Sequence, residues 1–399
     1  MGINGRATGL VVQGWHAVRL GDTEQVSSGT QRRDHGTAPP LAVADLERLR
    51  DAVTTALDDF LEDQERALAA MDIALGPVVA EVRELARGGK RLRPAFAYWG
   101  WRGAVDDAPE PAEDEKAVLS AVAALEFVHA SALVHDDVMD GARTRRGRPA
   151  SHIGFAGLHQ DADLDGDAGG FGVGAAILVG DLALVWSDEL LRRSGLSPAA
   201  LTRARAVWDT MRTEVTAGQY LDLLRAAGGL PGPEGALTVA RYKTAGYTVQ
   251  RPLQLGAALA GAEPRVGEAY AAIGLPLGEA FQLRDDVLGV FGDPLVTGKS
   301  ADDDLREGKQ TLLVALAEQE ADAEGRALLA AVLGNQDADT AQFDALRVLF
   351  RSTGALDRVE ERIARRTAAA RDAIAAAPIA EEARRALDAL AVAATSRTA

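Results

Sequence analysis

Apolar residues recur at three- and four-residue spacing along most of this chain. Almost no segment shows the strict apolar–polar alternation of a half-buried strand. Ala, Leu, Arg and Glu fill the remaining positions, so the pattern predicts an all-α protein. Residues 121–135 are too apolar for a surface face and long enough for a buried helix. The Ala-rich stretch 341–399 predicts terminal helices packed on the rest, whereas the Gly/Pro clusters at 157–174 and 226–235 predict loops. The first forty residues, ending in Gly36-Thr37-Ala38-Pro39-Pro40, lack a sustained apolar pattern and predict a flexible tail. Arg32-Arg33 is followed by no apolar export segment, so a cytoplasmic location is expected. The most hydrophobic run, 173–186, is broken by Asp181 and is too short to span a bilayer.

With 399 residues and 47% hydrophobic content the chain can bury a large core. Length alone allows two domains, yet no internal linker separates regions of different composition. One helical domain over 41–399, a bundle around a central cavity, is therefore expected after the 1–40 tail. The chain has no cysteine, which excludes disulfides, thiolate metal sites and cysteine nucleophiles. A net charge of −16 argues against nucleic acid as a partner, and it makes a bare cavity repel anions.

That charge gives weight to two acidic clusters on apolar segments, Asp136-Asp137-Val138-Met139-Asp140 and Asp285-Asp286-Val287-Leu288-Gly289. On a helix, Asp136 and Asp140 lie one above the other on one face, where like charges repel unless a cation joins them. Hard oxygen ligands of this kind suit Mg2+ holding a phosphorylated substrate. A solvated acidic helix end is the plainer reading of either cluster alone. Context opposes it: Arg143, Arg145, Arg146 and Arg148 follow the first cluster, and Gly88-Gly89-Lys90-Arg91-Leu92-Arg93-Pro94 precedes it. Metal on one side of a diphosphate and guanidinium forks on the other would use all of these. After the second cluster, Gly292, Asp293, Pro294 and Gly298 break the helix and put Lys299 on a mobile loop, followed by Asp302-Asp303-Asp304 and Lys309. The alternating Asp161, Asp163, Asp165 and Asp167 suggest a calcium loop, but Gly172 stands where the closing Glu belongs, so a solvated loop is expected.

Taken in order, GGKRLRP, DDVMD with its trailing Arg-Arg pair, Gly218-Gln219 with Asp222-Leu223, Lys243-Thr244, FQLRDD and the GK-to-EGKQT loop resemble the trans-isoprenyl diphosphate synthases, or polyprenyl synthetases. The likeness runs from about residue 85 to 313 and implies the isoprenoid-synthase type of helical fold, a homodimer and no membrane span. It implies 1'-4 condensation of isopentenyl diphosphate with an allylic diphosphate (dimethylallyl, geranyl or farnesyl) to an all-trans product, with three Mg2+ ions. By resemblance Asp136 and Asp140 hold two ions, and Asp285 holds the third with help from Asp286 and Asp304. Arg145, Lys243, Gln282, Lys299 and Lys309 grip the allylic diphosphate; Lys90, Arg93, His129 and Arg146 bind isopentenyl diphosphate; Thr244 relays a proton. The family's second motif often ends in Asp where this chain has Gly289, which implies weakened outer coordination.

Product length follows from the tunnel below Asp136. Ser131 and Ala132 are small, so the floor drops roughly 6 Å to Val128 or Phe127, with residues of neighbouring helices or across a dimer interface, such as Trp186, as further contributors. Geranylgeranyl diphosphate is the expected product, with farnesyl or longer chains as alternatives. A class I terpene cyclase or a head-to-head coupling enzyme would not need the GGKRLRP segment and Arg146. A non-catalytic partner subunit would be free to lose both acidic clusters.

Overall fold

The computed structural model describes residues 42–108, 112–293 and 301–395. The expected tail 1–40 and Lys299 lie outside them. The chain folds as helices: α1 (Ala42–Met71), α2 (Gly76–Ala86), α3 (Leu92–Ala104), α4 (Glu115–Met139), α5 (Ser151–Asp161), α6 (Ala168–Arg193), α7 (Pro198–Ala226), α8 (Gly232–Val239), α9 (Arg251–Ala260) and α10 (Pro264–Phe291). A π-helical stretch, Ala240–Gln250, joins α8 to α9. The short α11 (Asp303–Arg306) then precedes α12 (Leu312–Glu320), α13 (Ala323–Val332), α14 (Thr340–Ser352), α15 (Ala355–Ala376) and α16 (Glu381–Thr395).

The one departure from all-α among the described residues is a hairpin, Thr144–Arg145 against Arg148–Pro149, in the arginine loop. Arg146 and Gly147 take φ of 53° and 74°, the left-handed pair that a tight two-residue hairpin turn requires. Arg145 and Arg146 are therefore presented by a rigid turn.

α4 forms the axis of the larger core. Asp114 caps its start by accepting from the Ala117 amide, and the helix is buried nearly all round beneath α1, α2, α3 and α6. The α1 stripe Leu49, Val53, Leu57 and Leu61 meets it at helical spacing. Trp99 and Trp101 are buried in this core. α10 continues from this core into a smaller one: Tyr270, Ile273 and Leu277 pack in the first, and Leu283, Val287 and Val290 pack against α12, α14 and α15 in the second.

Two loops are shorter than the sequence suggests. α5 extends to Asp161 and α6 begins at Ala168, because Gly172 lets the two helices touch: a Cβ there would sit 2.1 Å from the His152 carbonyl. Asp167 caps α6 through the Gly169 and Gly170 amides, which gives that Asp of the glycine-rich run a structural role. The 226–235 loop contracts to the residues between α7 and α8. The run 173–186 proves to be the middle of the 26-residue α6, which, like α4, is long and apolar enough to cross a membrane by length and composition. α4 is a core helix; α6 buries much less of its surface and exposes Phe171, Ile177, Leu178 and Val185.

Candidate active site

The acids of the first cluster end α4. The partial negative charge of a helix C-terminus disfavours carboxylates there, so this position needs a cation. Lys243 supplies one: its Nζ donates to Asp136 Oδ1 at 2.8 Å and to Asp222 Oδ2 at 2.6 Å, and Gln219 Nε2 donates to the same Asp136 oxygen at 2.9 Å. Burial alone would raise Asp136; the Lys243 charge and hydrogen bond outweigh it and hold the carboxyl below its ordinary value. Burial likewise opposes the Lys243 charge, but Asp136 and Asp222 overcome it and push the ammonium up. Asp140, the C-cap, has no such partner among the described residues, and burial together with the Asp136 charge pushes it up to about 6.

Lys243 is placed by backbone contact. A Cβ at Gly218 would lie 2.3 Å from the Lys243 nitrogen, and one at Gly278 would lie 2.6 Å from the Ala245 Cα. The two glycines let α7 and α10 clamp the π-helical stretch between them, with Thr244 half-buried beside Lys243. The sequence motif Gly218-Gln219…Asp222 is thus legible as contact, orienting amide and counter-ion.

Arg145 is committed to Asp137. Its Nε donates to Oδ1 at 2.9 Å and to Oδ2 at 3.1 Å, Nη2 also meets Oδ1, and Nη2 lies 3.9 Å from Asp136. Asp137 is 0% exposed, and sequence reasoning gave this middle acid no part. Its place on the inward side of α4, opposite an arginine eight residues on, was the signal available.

The second cluster lies on α10. Gln282, expected at a diphosphate, donates its amide to Asp286 Oδ1 at 2.6 Å. Burial pushes Asp286 up to about 7; the Gln282 bond opposes this, while the charges of Asp285 and Asp304 add to it. Lys309 binds Asp304 and Glu307 at 3.0 Å each, and its charge acts on Asp136, Asp140 and Asp286 alike. Both acidic clusters therefore face one space, with Lys309 between them. Among the described residues no three His, Cys, Asp or Glu side chains gather into a ready-made metal site. The donors fit Mg2+ nonetheless: they are all hard oxygens, burial and neighbouring acids raise two of them, and an ammonium already pairs with Asp136.

A second, basic cluster stands apart from these acids. Arg93 Nη2 donates to Tyr247 Oη at 2.6 Å and to Thr248 Oγ1 at 3.1 Å, with the guanidinium 4.3 Å from the Tyr247 ring centre. Tyr247 Oη lies 3.3 Å from His129 Nδ1. Burial, then the charges of Arg93, Arg146, Arg145 and Arg91, hold His129 well below its ordinary value and therefore neutral. Arg146 donates to the Arg87 carbonyl at 2.8 Å and reaches over Gly89, which like Gly88 has positive φ. Lys90 is exposed on the same loop. Tyr247 and Thr248 were missed in sequence because a buried aromatic carries no charge to mark it.

Further down α4, Ser131 is buried and Ala132 half-buried. Below them Val128 is buried, and Phe127 meets Phe60 at 5.4 Å and Trp186 at 6.3 Å between ring centres. Trp186 belongs to this same chain's core. Phe60 also lines a 430 Å³ cavity with Leu119, Ser120 and Arg193.

An all-α shell that presents paired acids and a separate basic cluster is a site for two phosphorylated substrates. The chain belongs to the polyprenyl synthetase family, whose profile matches residues 79–349. It is 32% identical to the geranylfarnesyl diphosphate synthase of Aeropyrum pernix, over 75% of this chain and 87% of that protein. Its fold matches the crystal structure of geranylgeranyl pyrophosphate synthase from Corynebacterium glutamicum, complexed with isoprenyl diphosphate and magnesium: TM-score 0.85, 41% identity, 89% of this chain and 100% of that one. A polyprenyl synthase from Caulobacter crescentus, complexed with calcium and isoprenyl diphosphate, matches with a TM-score of 0.70 and 30% identity, over 91% and 100% of the two chains. The protein is a prenyltransferase of the trans-prenyl diphosphate synthase class.

Proposed function

We propose that this protein condenses isopentenyl diphosphate with an allylic diphosphate to give all-trans geranylgeranyl diphosphate, using three Mg2+ ions. The observation that carries this reading is the separation of one acid-lined anion site from one basic, metal-poor site. An allylic diphosphate at the acidic clusters would break its C1–O bond with both electrons leaving on oxygen. Asp136 and Asp140 on α4, and Asp285, Asp286 and Asp304 opposite, would hold the ions, which supply positive charge to the leaving diphosphate. Lys243, Arg145 and Lys309 would add fixed cations to the same anion, with Gln282 orienting Asp286; the family resemblance assigns Lys299 to the same anion.

Isopentenyl diphosphate would lie against Arg93, Arg146 and Lys90, held without ionising because its C1 is not allylic and, among the described residues, the acid pairs lie in the other cluster. Neutral His129 would donate one ring N–H to its phosphate while Nδ1 meets Tyr247. The alkene electrons then form the new carbon–carbon bond to C1, and the proton shed by the resulting cation goes to the departing diphosphate, with Thr244 beside its path. Phe127, Trp186 and Phe60 form the tunnel floor below Ser131, Ala132 and Val128, which leaves room for twenty carbons. The exposed apolar face of α6 would meet a second copy of the chain, and the dimer would work in the cytoplasm.

Steady-state kinetics test the two-site reading. Arg93→Ala should raise KM for isopentenyl diphosphate at least tenfold and leave that for the allylic substrate within twofold. Equal effects on both would refute it.

A further inference from the structure

Arg225 is a buried arginine to which the two-site chemistry gives no part. It lies in the last turn of α7 and is 5% exposed, and among the described residues no carboxylate stands in ion-pair contact with it. Its donors run instead to backbone carbonyls: Nε donates to that of Gln310 at 2.6 Å, and Nη1 donates to that of Gly232 at 3.0 Å and to that of Leu230. The surroundings are closed around the guanidinium, since a Cβ at Gly235 would fall 2.8 Å from Nη1. A charge buried in this way is costly unless its hydrogen bonds are met, so the guanidinium and these carbonyls hold one another in place.

Gln310 follows Lys309, the ammonium that stands between the two acidic clusters. The segment carrying Lys309 is tied at its start to the connection between α13 and α14: the Gly334 amide donates to the Leu305 carbonyl at 2.9 Å, and Gln336 Nε2 donates to the Arg306 carbonyl at 3.0 Å. Arg225 holds the other end of the segment from α7. Asp222, on the same side of that helix turn, holds Lys243 at 2.6 Å. One turn of α7 therefore sets both ammonium groups, Lys243 through a carboxylate and Lys309 through the carbonyl of the next residue. We propose that Arg225 is a positioning residue for the allylic diphosphate: by fixing the Gln310 carbonyl it keeps the Lys309 ammonium 3.0 Å from Asp304 and in register with Lys243.

The role of Arg225 rests on the reading of the acidic clusters as the allylic diphosphate site, and the test separates the two. Wild type, Arg225→Gln, Arg225→Lys, Lys309→Met and the Arg225→Gln/Lys309→Met double variant would be compared by metal-free melting and by calorimetric titration of inorganic diphosphate with Mg2+ present. Arg225→Gln should weaken diphosphate binding about tenfold, while its KM for isopentenyl diphosphate stays within about twofold of wild type. Arg225→Lys keeps the charge but not the fork, so it should also bind severalfold more weakly; wild-type affinity there would mean that charge alone matters, and would overturn the proposal. In the Lys309→Met background, Arg225→Gln should cost less than about twofold, because the ammonium it positions is gone. The same loss in both backgrounds, or an equal loss for both substrates, is the mark of a merely structural residue and overturns the positioning role. If wild type binds no diphosphate with Mg2+, the allylic-site reading fails, and the metal-free melting of the four proteins in the Arg225→Gln/Lys309→Met cycle decides instead: losses that are less than additive support the link from Arg225 to Lys309, and additive losses overturn it.

Discussion

Asp137→Asn should damage this protein although Asp137 is not expected to touch metal. Its carboxylate is 0% exposed and meets Arg145 through two guanidinium nitrogens. Removing one partner of a fully buried pair costs about 3–5 kcal/mol. The Arg145 side chain is 29% exposed, so solvent screens part of that, and about 2–3 kcal/mol is the appropriate scale. In a chain of this size about 2 °C per kcal/mol applies, which gives a melting temperature about 4–6 °C lower. Arg145, released from its orienting carboxylate, should also raise KM for the allylic diphosphate by roughly tenfold, with the Mg2+ dependence unchanged. Differential scanning fluorimetry and kinetics at fixed isopentenyl diphosphate measure both effects. Wild-type melting together with wild-type KM would refute the positioning argument, and loss of Mg2+ dependence would show instead that Asp137 is a ligand.

Asp286 sits at about 7, above an ordinary value of 3.8, so the folded protein binds an extra proton between those limits. Stability from this group is present at low pH and falls as pH rises through about 4 to 7. The metal-free melting temperature of Asp286→Asn, relative to wild type, should therefore climb from about pH 5 to about pH 8; a flat difference would contradict the shift. Mg2+ competes with the same proton, so its stabilisation of wild type should grow over that window, and a pH-independent increment would count against binding there. Tyr247→Phe removes the hydroxyl that joins Arg93 to His129, and should raise KM for isopentenyl diphosphate severalfold with kcat for the bound substrates little changed; an unaltered KM would sink that link. Phe127→Ala should deepen the tunnel by about one turn, 5.4 Å, and lengthen the product, at a stability cost of about 3–5 kcal/mol. An unchanged product distribution from a folded variant would move the floor elsewhere.

The all-α class was legible because helical periodicity runs through most of the chain, and the acidic clusters were legible because charges inside apolar helices are expensive without a cation. The arginine hairpin was not, since two-residue strands leave no alternation to read. Loop bounds at 157–174 were misjudged for a physical reason: glycines there, such as Gly172, serve helix contact and not turns. Gly289 likewise approaches a side chain of another element, that of Asp304, fifteen residues away. Partners such as Asp222 for Lys243, Tyr247 for Arg93 and Asp137 for Arg145 are set by the third dimension, and composition carries no trace of them.

Incubating the purified protein with Mg2+, isopentenyl diphosphate and each allylic starter, then chromatographing the dephosphorylated products, tests the central claim most directly. A single C20 alcohol is expected, absent without Mg2+ and absent in Asp136→Ala. Failure to consume isopentenyl diphosphate with any starter, or cyclic hydrocarbon formed without it, would contradict it.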